Sequence, residues 1–121
     1  MSWVDDVLHE FGRTLGMRRL AFNARGVARM TMERMGSLGI ERLPGELLVY
    51  MVRRVPASEG RILRRALTLC HYNEGHPFVL QAGLKGDEHL VFLVRIPERE
   101  FSVQTVEQSI ELLDRLHGSV A

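Results

Sequence analysis

The sequence predicts an α+β domain with the element order α-β-β-β-α-β-β-α and a twisted, mostly antiparallel five-stranded sheet. Three observations point there. The runs at 47–52 and 90–94 are apolar on both faces, as strands near the middle of a sheet are. The sequences Pro44-Gly45 and Lys85-Gly86-Asp87-Glu88 are turn-formers placed just ahead of those runs. Apolar residues recur at helical spacing in three separate segments.

Residues 3–15 form the first helical pattern. Trp3, Val4, Val7, Leu8, Phe11 and Leu15 fill an arc of about 140° on a helical wheel. Ser2 is the expected N-cap, Asp5 and Asp6 sit where the helix dipole favours acids, and Gly16 is the expected C-cap. Residues 26–34 then alternate. Ala28, Met30 and Met32 take one face, and Arg29, Thr31 and Glu33 the other, as in a half-buried strand. Met35-Gly36 predicts a turn, Leu38 and Ile40 a short strand, and Pro44-Gly45 a second turn. In the strand at 46–52, Leu47, Val49 and Met51 alternate with Leu48, Tyr50 and Val52. Residues 26–53 thus read as an antiparallel meander.

Pro56-Ala57-Ser58 ends the meander, and Ser58 is the expected cap of a helix over 59–72. Its apolar members Ile62, Leu63, Ala66, Leu67, Leu69 and Cys70 span about 160°. That arc is wider than packing on one sheet requires, so the chain is expected to dimerise. Residues 73–77 form a loop. Phe78, Leu80, Ala82 and Leu84 alternate in the fourth strand, and residues 89–96 return as the fifth. Pro97 ends that strand. Ser102 caps a last helix carrying Val103, Val106, Ile110, Leu112, Leu113 and Leu116.

At 121 residues this is one domain, residues 1–121, large enough to bury about two-thirds of its surface. A composition of 45% hydrophobic and 26% charged residues argues against disorder. The net charge of +1 argues against a general nucleic-acid binder. All basic residues but Lys85 are arginines, which a codon bias explains more simply than a function. The single cysteine, Cys70, excludes an internal disulfide and fits a reducing cytoplasm. Asp5 and Asp6 stand where a signal peptide would be basic, and no apolar run reaches membrane-spanning length.

No phosphate-binding glycine motif is present. A Cys70/His71/His76 metal cluster lacks the second cysteine or paired histidines of zinc sites, and the simpler account is a half-buried thiol beside solvated histidines. As a nucleophile, Cys70 would need a base and an oxyanion hole, yet it lies on the apolar arc of its helix. Glu98 and Glu100 do not face each other, and the arginine pairs lack interleaved aromatics. Met30, Met32, Met35 and Met51 cluster around the meander, where they either fill the core or line a surface for variable apolar ligands. No catalytic site, metal or cofactor emerges, and a binding module is favoured over an enzyme.

Several segments resemble one family. These are Met1-Ser2-Trp3, the first helix with Phe11-Gly12 and Leu15-Gly16, Ala66-Leu67-Thr68-Leu69, and Gln81-Ala82-Gly83-Leu84 followed by Gly86. Pro97-Glu98-Arg99 and the closing Gln108 and Leu112-Leu113-Asp114-Arg115-Leu116 complete the set. Together with the element order, they are similar to the class I type III secretion chaperones of the SycN-like group, which have the CesT/SycE-type fold. The likeness runs over nearly the whole chain, is firmest from Arg65 onward and is weakest over 17–45. It implies a chaperone of the bacterial cytoplasm, without ATP use, that takes part in virulence-associated protein transport and can sit peripherally at the inner-membrane secretion apparatus. It implies a heterodimer with a YscB-like subunit, bound to the N-terminal region of a YopN-like secreted gatekeeper. The implied dimer interface is Ile62, Leu63, Ala66, Leu67 and Cys70 with Phe78 and Leu80. The cargo is expected to run over Trp3, Val7, Met30, Met32 and Leu48. Many members are acidic whereas this chain has a pI near 8.0, which leaves the acidic balance to a partner subunit. The alternatives are a general α+β protein-interaction adaptor, or a homodimeric effector chaperone with a different cargo.

Overall fold

The structure, a computed structural model, describes residues 2–56, 60–72 and 78–120. Helix α1 spans Trp3–Thr14. The Ser2 hydroxyl accepts the Asp5 amide proton at 3.4 Å, and the Asp5 carboxylate accepts the Ser2 amide proton at 3.0 Å. Two otherwise orphan N–H groups are thereby satisfied reciprocally. The Ser2 amide, and the Ser2 hydroxyl at 2.9 Å, both donate to the Asp5 carboxylate and hold it below the usual carboxylate range. Val4, Leu8 and Phe11 form the buried stripe, and Leu15 is the C-cap, with Gly16 just beyond it.

Strands β1 (Val27–Met32), β2 (Gly36–Leu43) and β3 (Glu46–Arg54) make the expected meander. β1 is shorter at both ends than its alternation suggested, because the chain already turns over residues 33–35. β2 is longer, because pairing with two neighbours extends it well past Leu38 and Ile40. Gly36 is required at the turn: its φ is +91°, and a Cβ there would lie 2.3 Å from the Val52 carbonyl oxygen. Helix α2 spans Arg61–Tyr72. The expected Ser58 cap and the loop at 73–77 lie outside the described residues.

Strands β4 (Val79–Lys85) and β5 (His89–Pro97) form a hairpin, and a short 3₁₀ turn, Glu98–Glu100, leads into α3 (Val103–Val120). That turn was not anticipated. The Ser102 hydroxyl accepts the Thr105 amide proton at 3.1 Å, so the expected cap of α3 is present. The sheet order is β1-β2-β3-β5-β4, with each neighbouring pair antiparallel. β3 lies at its centre, where its two apolar faces imply.

All three helices pack on one face of this sheet. Leu47, Val49 and Met51 point into that layer beside Leu38, Ile40, Phe92, Val94 and Ile96, and all are buried. Helix α3 crosses above them, contributing Val106, Ile110, Leu113 and Leu116. Two polar contacts tie it down. Arg53 donates to the Met35 carbonyl at 2.8 Å and also to the Asp114 carboxylate. The buried His117 Nε2 lies 2.8 Å from the Met51 carbonyl, with its ring edge-on to Phe92 at 4.9 Å. A carbonyl can only accept, so Nε2 carries the proton.

Burial pushes the His117 imidazole below its usual pKa, and the bond to Met51 only partly opposes this. The unfolded chain therefore takes up this proton first as pH falls, from about pH 6.5 downward. The expected outcome is a contribution to stability that is fully present above about pH 7 and lost as pH falls through the range below it. Denaturant midpoints measured from pH 8 to pH 5 should show this slope, and His117→Phe should flatten it.

Candidate protein-binding surfaces

The second face of the sheet bears no helix among the described residues. The strand register places Leu48, Tyr50 and Val52 of β3 beside Leu93 and Val91 of β5 on that face, with Gly39 on β2 and Gly83 on β4 flanking them. The Tyr50 ring lies over Gly39: a Cβ at that glycine would be 2.1 Å from Tyr50 Cζ. At Gly83 a Cβ would meet nothing within 4 Å. One glycine thus accommodates an aromatic ring and the other leaves a notch. The result is a groove of about 630 Å³ with an apolar floor and Arg29, Glu41, Lys85 and His89 on its walls. Further along the same face, Arg95 donates to Glu46 at 2.6 Å and to Gln81 at 2.8 Å.

A second apolar surface runs along α2 and β4. Ala66 is 0% exposed while its neighbour Leu67 is 48% exposed, so one edge of the wide apolar arc points to solvent. On β4, Leu84 is open on the helix side, whereas Val79, 59% exposed, lies on the opposite sheet face. β4 is an edge strand, as is β1 on the far side, where Asn23 takes both outward backbone groups of Val27. A third hollow, of about 270 Å³, lies where α1, β1 and α3 meet.

The expected interface residues do not share one surface. Leu67 is open and Leu63 is half-buried. Ile62, Cys70, Phe78 and Leu80 pack partly against the chain's own core, and Ala66 lies wholly within it. The alternating apolar residues of β4 face the helices, so the residue the strand exposes most is Val79, which sequence reasoning did not select. Its signal was a β-branched residue at the opposite parity to Phe78 and Leu80.

The expected cargo residues are also divided. Trp3 is 48% exposed, and Val7 is half-buried one turn further along α1. Met30 and Met32 lie on the helix side of β1, partly packed on the core, whereas Leu48 is 8% exposed on the opposite face. Met51 is pure core, and Met32 and Met35 line the third hollow. Cys70 is half-buried, and desolvation raises its pKa, opposite to what an activated thiol needs. Among the described residues no group of three metal-ligating side chains converges; His76 lies outside them. No helix among those residues is long and apolar enough to cross a membrane.

A family model described as the type III secretory system chaperone SycN matches residues 3–121. The chain is 26% identical over 121 residues to the chaperone protein SycN of Yersinia enterocolitica, covering 99% of this chain and 98% of that protein. The same figures hold for SycN of Yersinia pseudotuberculosis. Among solved structures, it is similar to the Yersinia pestis type III secretion chaperone SycH in complex with a fragment of YscM2. The TM-score is 0.70 at 20% identity, over 95% of this chain and 98% of that one. The ExsC–ExsE complex gives a TM-score of 0.75 at 19% identity, over 94% and 88% of the two chains. These structural likenesses establish the helix-and-sheet fold.

The contrast between adjacent α2 residues can be tested directly. Leu67→Asp should leave the core packed, with near-UV circular dichroism retained. Ala66→Asp should abolish that signal, because it buries an unpaired charge.

Proposed function

The chain belongs to the SycN family of type III secretory system chaperones, and from that membership we propose that it pairs with a YscB-like subunit to bind the N-terminal region of a YopN-like gatekeeper. In this role it keeps the gatekeeper competent for secretion and helps control when secretion begins. The complex works in the bacterial cytoplasm and docks peripherally at the secretion apparatus. The family is one of chaperones rather than enzymes.

The observation that carries this reading is a sheet with all its helices on one side and apolar residues on both. Covering the second face from within would take another layer, which the described residues do not supply. The open edge of α2, with Leu63 and Leu67, together with Leu84 of β4, suits a related subunit. The uncovered sheet face, with Leu48, and the α1 side, with Trp3 and Val7, suit a cargo chain in extended form.

The physics of such binding is known in outline. A secretion signal region that is disordered when free carries apolar side chains prone to aggregate. Preformed grooves take those side chains, and a free strand edge supplies main-chain hydrogen bonds. Ordering the segment costs several kcal/mol, about 2–5 or more, so a long wrapped contact is needed.

Co-expression with the candidate subunit and the gatekeeper's N-terminal region, followed by native mass measurement, tests the proposal. A ternary complex is expected. Leu67→Asp should abolish capture of the subunit, because it places an uncompensated charge in an apolar contact. A monomer of this chain at micromolar concentration, or a homodimer indifferent to both candidates, would refute the assignment.

A further inference from the structure

The hollow between α1, β1 and α3 combines an apolar floor with an unpaired acidic wall. Phe11 and Leu15 approach from α1, Met32 and Met35 from β1 and its turn, and Ile110 from α3. Above them stand Glu107 and Glu111 of the same helix. They are four residues apart, so they share a helix face and repel one another. Neither has an ion-pair partner among the described residues. The hollow borders Met32 at the far end of the edge strand β1 from Val27, whose outward groups Asn23 occupies.

We propose that this hollow selects a cargo segment in which an apolar residue is followed, two positions later, by arginine or lysine. The inference rests on the chaperone reading above and adds the chemistry that the site reads. A segment paired along β1 continues the sheet, and its alternate side chains face the helix layer. One apolar side chain fits onto the methionine-lined floor, where thioether side chains adapt to its shape. The next residue on the same face follows about 7 Å along the strand. Glu107 and Glu111 are separated by about 6 Å along their helix axis, so one long cationic side chain lying between them can reach both carboxylates. Arginine suits the pair best, since its planar fork can engage two carboxylates. An acidic residue at the same place would meet two like charges, so the wall also rejects wrong segments.

The test uses the full chain, together with its partner subunit where the two co-purify. The probes are two nine-residue alternating threonine peptides carrying a leucine followed two positions later by arginine in one and glutamate in the other. Nuclear magnetic resonance titration should give a Kd about three- to tenfold lower for the arginine peptide, with the largest shifts at Met32, Met35 and Ile110. The preference should shrink as salt rises. The exposed double substitution Glu107→Lys/Glu111→Lys should invert it. Equal Kd values for the two peptides, or an order unchanged by the double substitution, would overturn the proposal, as would shifts centred on Tyr50 and Leu93. Failure of the gatekeeper assignment would instead appear as lost co-purification of that cargo, with the peptide preference intact.

Discussion

Leu47, Val49 and Met51 project from the central strand of a five-stranded sheet, and keeping water off them constrains everything else in the fold. Eighteen residues of α3 lie across that row, a span of about 27 Å. Its seat is fixed by directional contacts as well as by apolar packing: His117 bonds the backbone of Met51, and Asp114 pairs with Arg53 two residues further along the same strand. Burial makes the His117 contact selective, since it favours the neutral imidazole and leaves its N–H in need of a partner. With α3 seated, α1 and α2 fill the same layer on either side, and Ala66 can approach the sheet because its side chain is small.

Placing three helices on one face has a consequence for the other. Apart from the buried Leu48, the apolar residues there are held by sheet pairing rather than by a packed layer, so Tyr50, Val52, Val91 and Leu93 stay partly exposed even though their strands are central. Tyr50 over Gly39 and the notch at Gly83 give that face relief instead of a flat stripe. A rigid scaffold presenting an uncovered, shaped apolar surface has the physical requirements of a protein-binding module. A chaperone that uses no ATP depends on such a surface, because its grooves must exist before the cargo arrives.

Charged groups mark the limits of these surfaces. Arg42 joins Ser2, at the start of α1, to Glu98 in the 3₁₀ turn, at 3.0 and 3.3 Å. Arg95 bridges Glu46 and Gln81 at one end of the open face. Partly exposed pairs of this kind contribute little to stability, on the order of 0–1 kcal/mol each. Their effect is positional: they fix chain ends and one end of the open face. Glu107 and Glu111 differ in having no ion-pair partner among the described residues, beside an apolar hollow.

The element order, the meander, the hairpin and the family were legible in the amino-acid sequence. They depend on local rules: period-2 alternation, helical spacing, turn dipeptides and caps at Ser2 and Ser102. Even the central place of β3 could be read, because a strand apolar on both faces has to lie away from the edge. What tertiary structure alone decided was which apolar residues remain available. Ala66 and Leu67 belong to the same apolar arc, yet the smaller is sealed beneath the helix and the more hydrophobic faces solvent. Phe78 and Leu80 look as suited to an interface as Val79, but register turns them toward the helices. The alliance of Phe11, Met32 and Ile110 around one hollow joins residues from three distant segments. Exposure is a property of how elements pack, and packing is set by contacts between residues far apart in the chain, so no local pattern contains it.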